Sequence, residues 1–307
     1  MRVAFFGTPA FAVPSLEALL RERFDVPLVV TQPDRAQGRS RSTLVPPPVK
    51  SAALKAGLEV VQPDRPAGDV FRRALEHARV DIGVVVAYGH ILKPEILAVP
   101  RLGMINVHAS ILPQLRGAAP IQWAILNGDA NTGVSIMQME AGLDSGPVLH
   151  SAKIPILADE SAGELTARLA EVGAQALIEA LTLVSVGTVR PRVQDHAAAT
   201  HASKIGRELA RIDWSVSAEI VARKVRAFDP EPGAWGHLDG HPFKFFRALP
   251  VAGSGTAGQA VPSARGLQIA CGSGAIEVAE VQPAGKSRMG VSAWLAGRHG
   301  APLPRFT

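Results

Sequence analysis

Short apolar runs alternate with amphipathic stretches through the first 190 residues. Residues 2–6 read as a buried strand, and Gly7-Thr8-Pro9 closes it with a turn. Residues 14–23 place Leu16, Leu19 and Leu20 on one helical face. Further strands are expected at 26–31, 59–62, 82–87, 104–108 and 133–139, with helices at 51–57, 68–78 and 161–186. The 82–87 run is almost wholly apolar, as a strand covered on both faces must be. This β-α-β alternation predicts an α/β fold, a Rossmann-like domain with a mostly parallel sheet.

The pattern breaks at Gly187 to Ser203, which has no sustained period. Beyond it a helix at 217–227 precedes short strands at 234–238, 243–247, 266–270 and 275–281, separated by glycine-rich turns. That spacing predicts a small β-barrel, OB-like in size. The expected organisation is a catalytic domain over 1–189, a linker over 190–205 and a C-terminal barrel over 206–307. Residues 31–50, TQPDRAQGRSRSTLVPPPVK, carry Arg35, Arg39, Arg41 and Lys50 against the single acid Asp34. With three consecutive prolines and no apolar period, they read as a long basic loop of a kind that often carries function.

Composition sharpens this in three ways. Of 307 residues, 47% are hydrophobic and 19% charged, enough for packed cores and unlike a disordered chain. The single cysteine, Cys271, excludes a disulfide framework, and the nine histidines are scattered without ligand spacing, so no metal is expected. His237 and His241 straddle Asp239-Gly240, the mark of a hairpin turn. No apolar run is long enough to span a membrane and the start lacks a signal-peptide pattern, so a cytoplasmic protein is expected. The net charge is +5, and it is unevenly placed: 20 Lys/Arg face 19 Asp/Glu up to Ile205, but 12 face 8 from Gly206 onward. A basic C-terminal third permits a polyanionic partner such as nucleic acid.

The chain lacks G-x-G-x-x-G, a Walker pattern and a G-x-S-x-G elbow. Nicotinamide, nucleotide-hydrolase and serine-hydrolase chemistries are therefore disfavoured. The informative segment is MINVHASILPQLRGAAPIQW, residues 104–123. A strand there delivers Asn106 and His108 from one face, at the carboxyl end where open α/β sheets place their sites. Downstream, Gly142 and Gly146 bracket Asp144 just after the next strand. A carboxylate there can reach the imidazole, fixing its tautomer.

The strings FFGTPAFAVPSL, VVTQPDR, VVVAYGHILKPEIL, INVHASILPQLRGAAPIQWAI, TGVSIMQMEAGLDSGPVL and ARIDWS resemble the methionyl-tRNA formyltransferases in order and spacing. AFDPEPGAW and QPAGKSRMG extend the resemblance to about residue 290. One departure is Ser110-Ile111-Leu112-Pro113, where the family usually has leucine second. The resemblance implies formyl transfer from 10-formyltetrahydrofolate, a co-substrate, to the α-amine of methionyl initiator tRNA. It implies Asn106, His108 and Asp144 as catalytic residues. A folate pocket would be bordered by Val86, Tyr88, Gly89, Ser110, Ile111, Leu112 and Pro113. The tRNA would be contacted by Arg35, Arg39 and Arg41, and by Lys204, Arg207, Lys244 and Lys286, with Arg288 and Arg223 further basic candidates. Asn106 is the expected oxyanion donor, His108 is read either as charge donor or as proton acceptor, and Asp144 as the group that keeps His108 charged and can shuttle the amine proton, through a water. A monomer is expected. The alternatives are a related formyltransferase acting on glycinamide ribonucleotide or an amino sugar, an enzyme hydrolysing the folate donor, and a non-catalytic RNA-binding protein.

Overall fold

The computed structural model describes residues 1–37, 43–298 and 305–307. Their order begins β1 (Arg2–Gly7), α1 (Val13–Arg21), β2 (Asp25–Val30), β3 (Arg35–Gln37), β4 (Thr43–Val45), α2 (Pro48–Lys55) and β5 (Val60–Val61). It continues through α3 (Asp69–His77), β6 (Ile82–Val86), α4 (Pro94–Leu97), β7 (Met104–His108), β8 (Arg116–Gly117), α5 (Pro120–Asn127), β9 (Asn131–Gln138), β10 (Val148–Pro155) and α6 (Ala162–Ser185). The residues fall into two compact units. The first comprises Met1–Gly117, Thr132–Ile154 and Thr166–His201, and the second Ala118–Asn131, Pro155–Leu165 and Ala202–Thr307. The second unit thus draws on two segments that precede residue 190.

In the first unit seven strands form one sheet in the order β10-β9-β7-β6-β1-β2-β5. The β7-β6-β1-β2-β5 part is parallel, whereas β9 runs antiparallel to β7. Every residue of β6 is buried, which accounts for its unbroken apolar run. Helix α1 buries Leu16 and Leu19, and α3 buries Phe71 and Leu75, so each amphipathic helix lays its apolar stripe on the core. The chain leaves β1 one way through β2 and β5, while β6 and β7 lie on its other side. That reversal opens a crevice beyond the strands' carboxyl ends. Just past the ends of β1, β2 and β6, Thr8 Oγ1 and Gln32 Nε2 both donate to the Tyr88 carbonyl, at 2.9 and 3.0 Å.

Within the stretch expected as a bare loop at 31–50, the described residues 31–37 and 43–50 include two strands and the start of a helix. Strands β3 and β4 pair antiparallel, and Pro47 and Pro48 lead into α2, where proline suits the first helical turn. Asp34 is the anchor beneath this hairpin. It receives Lys50 Nζ at 2.8 Å and Gln62 Nε2 at 2.8 Å. These bonds, Lys50 foremost, hold its carboxyl below the usual aspartate value. Lys50 is therefore neutralised within the fold. Strand β10 had no counterpart in the sequence reading, because all its positions after the first are half-buried or exposed and leave no apolar period.

After β11 (His201–Ala202), at which the first unit ends, the second unit adds α7 (Ala218–Ala227), β12 (Ala234–Leu238), β13 (His241–Val251), β14 (Ala260–Ser263), β15 (Gly266–Ala270), β16 (Ala275–Pro283), β17 (Met289–Gly290) and α8 (Val291–Ala296). An antiparallel sheet runs β12-β13-β16-β15-β14, with β17 on β16. Asp239 and Gly240, both at positive φ, form the β12–β13 hairpin that the spacing of His237 and His241 predicts. Residues 305–307 bridge the edges: Thr307 exchanges two backbone bonds with His237 of β12, and Phe306 N–H donates to Gly258 O at 2.8 Å beside β14. The core gathers Val221 and Val225 of α7 with Phe243, Phe245, Leu267, Ile276 and Phe306.

Arg288 shows how this unit uses its charge. It binds Asp229 through Nη1 at 2.7 Å and Nη2 at 3.2 Å, holds Glu280 through Nε, and lies 4.1 Å from the centroid of the Phe246 ring. Burial opposes its charge, but Asp229 and Glu280 outweigh that and raise its pKa. Its half-buried guanidinium is thus a brace on the buried Asp229 rather than a free phosphate contact. Arg288→Ala is expected to cost about 2–3 kcal/mol, mainly by stranding Asp229. Calorimetric unfolding checks this, and Arg288→Lys restores only part because it loses the two-pronged fork.

Candidate active site

Strand β7 carries Asn106 and His108 on one face, because side chains alternate along a strand. His108 is buried and Asn106 half-buried. His108 Nε2 lies 3.0 Å from the Leu115 carbonyl. A carbonyl only accepts, so Nε2 carries the proton and donates it. His108 Nδ1 then faces Asp144 Oδ2 at 3.7 Å, ion-pair distance but longer than a hydrogen bond. Asp144 Oδ2 itself accepts the Gly117 N–H at 2.8 Å. The Asn106 side chain has no hydrogen-bond partner among the described residues. At the carboxyl end of β7 an imidazole nitrogen thus faces a carboxylate oxygen, and Asn106 shares the strand face of that imidazole.

The turn after β7 is built to hold this geometry. Ser135, opposite His108 on β9, accepts the Leu112 N–H at 3.0 Å and donates to the Ser110 carbonyl at 2.8 Å. Ser110 Oγ donates to the Gln114 carbonyl at 2.6 Å, and the Leu112–Pro113 peptide is cis. Leu112 packs with Met137 and Val148. Asp144 sits at φ 48°, a left-handed conformation that aspartate tolerates better than most residues. Two residues on, a Cβ on Gly146 would lie 1.9 Å from the Gln138 carbonyl, so only glycine fits.

The remaining candidates divide by position. Val86 ends β6, and Gly89 turns the chain at φ 84°. Ser110, Ile111, Leu112 and Pro113 follow β7 directly. The Tyr88 ring is buried against Phe6, 5.6 Å between centroids, and its burial pushes the phenol up to about 12. Tyr88 therefore presents neither its side chain nor its twice-bonded carbonyl to the crevice. Arg35 is exposed and donates to Gln32, while Arg39 and Arg41 lie outside the described residues. In the second unit Lys204 and Lys286 are exposed and Lys244 half-buried. Arg207 is exposed too, with its guanidinium 5.3 Å from the centroid of the Trp235 ring. Arg226 donates to the Glu160 carbonyl at 3.2 Å, which ties it into the unit. Among the described residues no cluster of three or more His, Cys, Asp or Glu could hold a metal, and no helix is long and apolar enough to cross a membrane.

Sequence reasoning missed the segment after α6. Read as linker, residues 190–200 instead lie along the site. Arg192 forms an antiparallel bridge with Val148, and Thr200 accepts the Leu115 N–H at 2.9 Å through Oγ1 and the Arg116 N–H at 2.9 Å through its carbonyl. Gln194 is buried and reaches both active-site loops. Its polar surroundings have no period, so nothing in the sequence marks it as buried.

The Formyl transferase family matches residues 1–181, and the Formyl transferase, C-terminal domain family matches residues 204–299. A methionyl-tRNA formyltransferase of Neisseria gonorrhoeae (strain ATCC 700825 / FA 1090) is 47% identical over 301 residues, covering 97% of each chain. One of Thiobacillus denitrificans (strain ATCC 25259 / T1) is also 47% identical, over 304 residues and 97% of each chain. Among solved structures, an N-formyltransferase from Helicobacter canadensis, in complex with folinic acid and dTDP-3-aminofucose, shares the fold with a TM-score of 0.69. It is 18% identical and covers 92% of this chain and 98% of its own.

Proposed function

Because this chain belongs to the methionyl-tRNA formyltransferase family, we propose that Asn106, His108 and Asp144 carry the formyl transfer from 10-formyltetrahydrofolate to the α-amine of methionyl initiator tRNA. The observation that carries this assignment is the commitment of His108 Nε2 to the Leu115 carbonyl, which leaves Nδ1 facing Asp144 as the working nitrogen. The amine nitrogen attacks the formyl carbon, and the C=O electrons move to oxygen. The Asn106 amide donates to that developing oxyanion, a contribution typically worth about 3–4 kcal/mol. His108 Nδ1 accepts the amine proton, and the nearby Asp144 carboxylate stabilises the imidazolium so formed. Collapse of the adduct breaks the bond to the folate nitrogen, which takes the proton back from Nδ1. The products are formylmethionyl-tRNA and tetrahydrofolate.

The folate donor occupies the crevice bordered by residues 86–89 and 110–113. Two adjacent parallel strands, β6 and β7, end there, on the carboxyl side of the sheet and next to the reversal between β1 and β6. Selection of the tRNA rests on Arg35, Arg39 and Arg41 of the basic 31–50 segment and on Lys204, Arg207, Lys244 and Lys286 of the second unit. The anchor at Asp34 supports this reading, because it gives the hairpin a fixed base. The enzyme works in the cytoplasm as a monomer, a state that sedimentation velocity reads directly.

Formylation assays with charged initiator tRNA, glycinamide ribonucleotide and an amino sugar test the acceptor. Turnover is expected with the tRNA alone; efficient use of a small amine, or tRNA-independent consumption of the donor, overturns the assignment. Arg39→Ala is expected to raise KM for the tRNA about tenfold, about 1.4 kcal/mol, with kcat for bound substrate little changed. Unchanged catalytic efficiency would remove the basic 31–50 segment from tRNA recognition.

A further inference from the structure

We propose that Gln194 is a positioning residue for formyl transfer, holding Asp144 opposite His108 by tying the two active-site loops together. This rests on the catalytic reading of Asp144 given above. Gln194 is 5% exposed and uses both ends of its amide. Oε1 accepts from Arg116 Nε at 3.1 Å and Nη2 at 2.7 Å. Nε2 donates to the Asp144 carbonyl at 2.9 Å and the Gly146 carbonyl at 2.7 Å. The partners fix the amide's orientation, since a flipped amide would set its oxygen against two carbonyls and its NH₂ against a guanidinium.

The Arg116 end matters as much as the Asp144 end. Arg116 is 6% exposed, and the same guanidinium also contacts His196 Nδ1 at 3.2 Å. Its chain neighbours are the two groups that orient the site: the Leu115 carbonyl on His108 Nε2 and the Gly117 N–H on Asp144 Oδ2. One amide therefore fixes the backbone of the aspartate loop to the side chain centred between those two groups. The left-handed backbone at Asp144 makes such a hold necessary, because that conformation is not the intrinsic preference of the chain. Misplacement of a reacting group by about 1 Å can cost on the order of 10²-fold in rate.

Gln194→Glu separates positioning from folding. A carboxylate keeps, and strengthens, the bond to Arg116, but it turns an oxygen toward the carbonyls of Asp144 and Gly146 in place of the two N–H donors. The expected result is a chain that still folds cooperatively, kcat at least tenfold lower, and KM for donor and tRNA each within about threefold of wild type. Because Gln194 acts through Asp144, adding Gln194→Glu to Asp144→Asn is expected to lower the single-turnover rate by less than about threefold further. A wild-type kcat in Gln194→Glu, or a full multiplicative loss in the double variant, overturns the proposal. If Gln194→Glu melts well below wild type, Gln194→Asn is judged by the same criteria, since it keeps the donor but shortens its reach. Asp144→Asn measured alone keeps the two readings apart. Wild-type turnover there defeats the catalytic reading, whereas a slow Asp144→Asn beside a fully active Gln194→Glu defeats only the positioning role.

Discussion

His108→Ala and Asp144→Ala are each expected to lower kcat by about 10²–10⁴-fold, the range for loss of a positioned proton-transfer group. The two losses have different physical origins. Without the imidazole, the attacking amine has no group in place to take its proton as the bond to the formyl carbon forms. Without Asp144, the imidazolium loses the carboxylate 3.7 Å from Nδ1, and the Gly117 N–H loses its acceptor. Asp144→Asn separates those two effects, because the asparagine oxygen can still accept from Gly117 while the charge is gone. It is expected to remain stably folded yet turn over about 10²-fold or more slowly, as removal of a charge aligned with a catalytic histidine can do. Single-turnover formylation with saturating donor and tRNA checks all three variants. A rate within threefold of wild type for His108→Ala or Asp144→Ala would show that proton transfer is managed elsewhere.

The second large effect is on stability. Phe306→Ala is expected to cost about 3–5 kcal/mol in the second unit, the usual range for emptying a buried phenylalanine site. Phe306 is 1% exposed, although it stands at the edge of the chain's described residues. Its ring lies 5.0 Å from that of Phe245, 5.2 Å from Phe243, 6.1 Å from Trp214 and 6.4 Å from Trp294, centroid to centroid. The same residue donates its backbone N–H to Gly258, and its neighbour Thr307 pairs with His237. Removing the ring therefore loosens the segment that bridges β12 to the region before β14. Chemical denaturation followed by tryptophan fluorescence is suited to the measurement, since Trp214 and Trp294 both report on this core. Phe306→Leu should recover roughly half the loss by refilling part of the volume. An unchanged denaturation midpoint for Phe306→Ala would mean that the bridge does not hold the unit together.

Much of the framework was legible because its signals are local. The apolar run of β6 and the alternation of β7 give their strands nearly residue for residue, and α6 differs from expectation by one residue at each end. The antiparallel direction of β9 was not legible. Strand direction is decided by which neighbour supplies the hydrogen bonds, and that neighbour, β7, lies many residues earlier. Basic residues show the same limit. Arg288 and Lys50 count as positive charge in the sequence, yet Asp229, Glu280 and Asp34 take them up within the fold.

The active site divides along the same line. The sequence by itself determined that Asn106 and His108 share a strand face, since a side-chain period of two leaves no other choice, and that Asp144 stands in a glycine-bracketed loop. The motif strings determined the family. Only the tertiary structure decided which imidazole nitrogen is free, because that depends on the Leu115 carbonyl folding back to 3.0 Å from Nε2. It also decided that a residue of the expected linker, Gln194, joins the loops on which Asp144 and Arg116 stand. Hydrogen bonds spanning 48 to 78 residues of chain leave no periodic trace in a sequence. They exist only once the strands that carry the loops have been packed side by side.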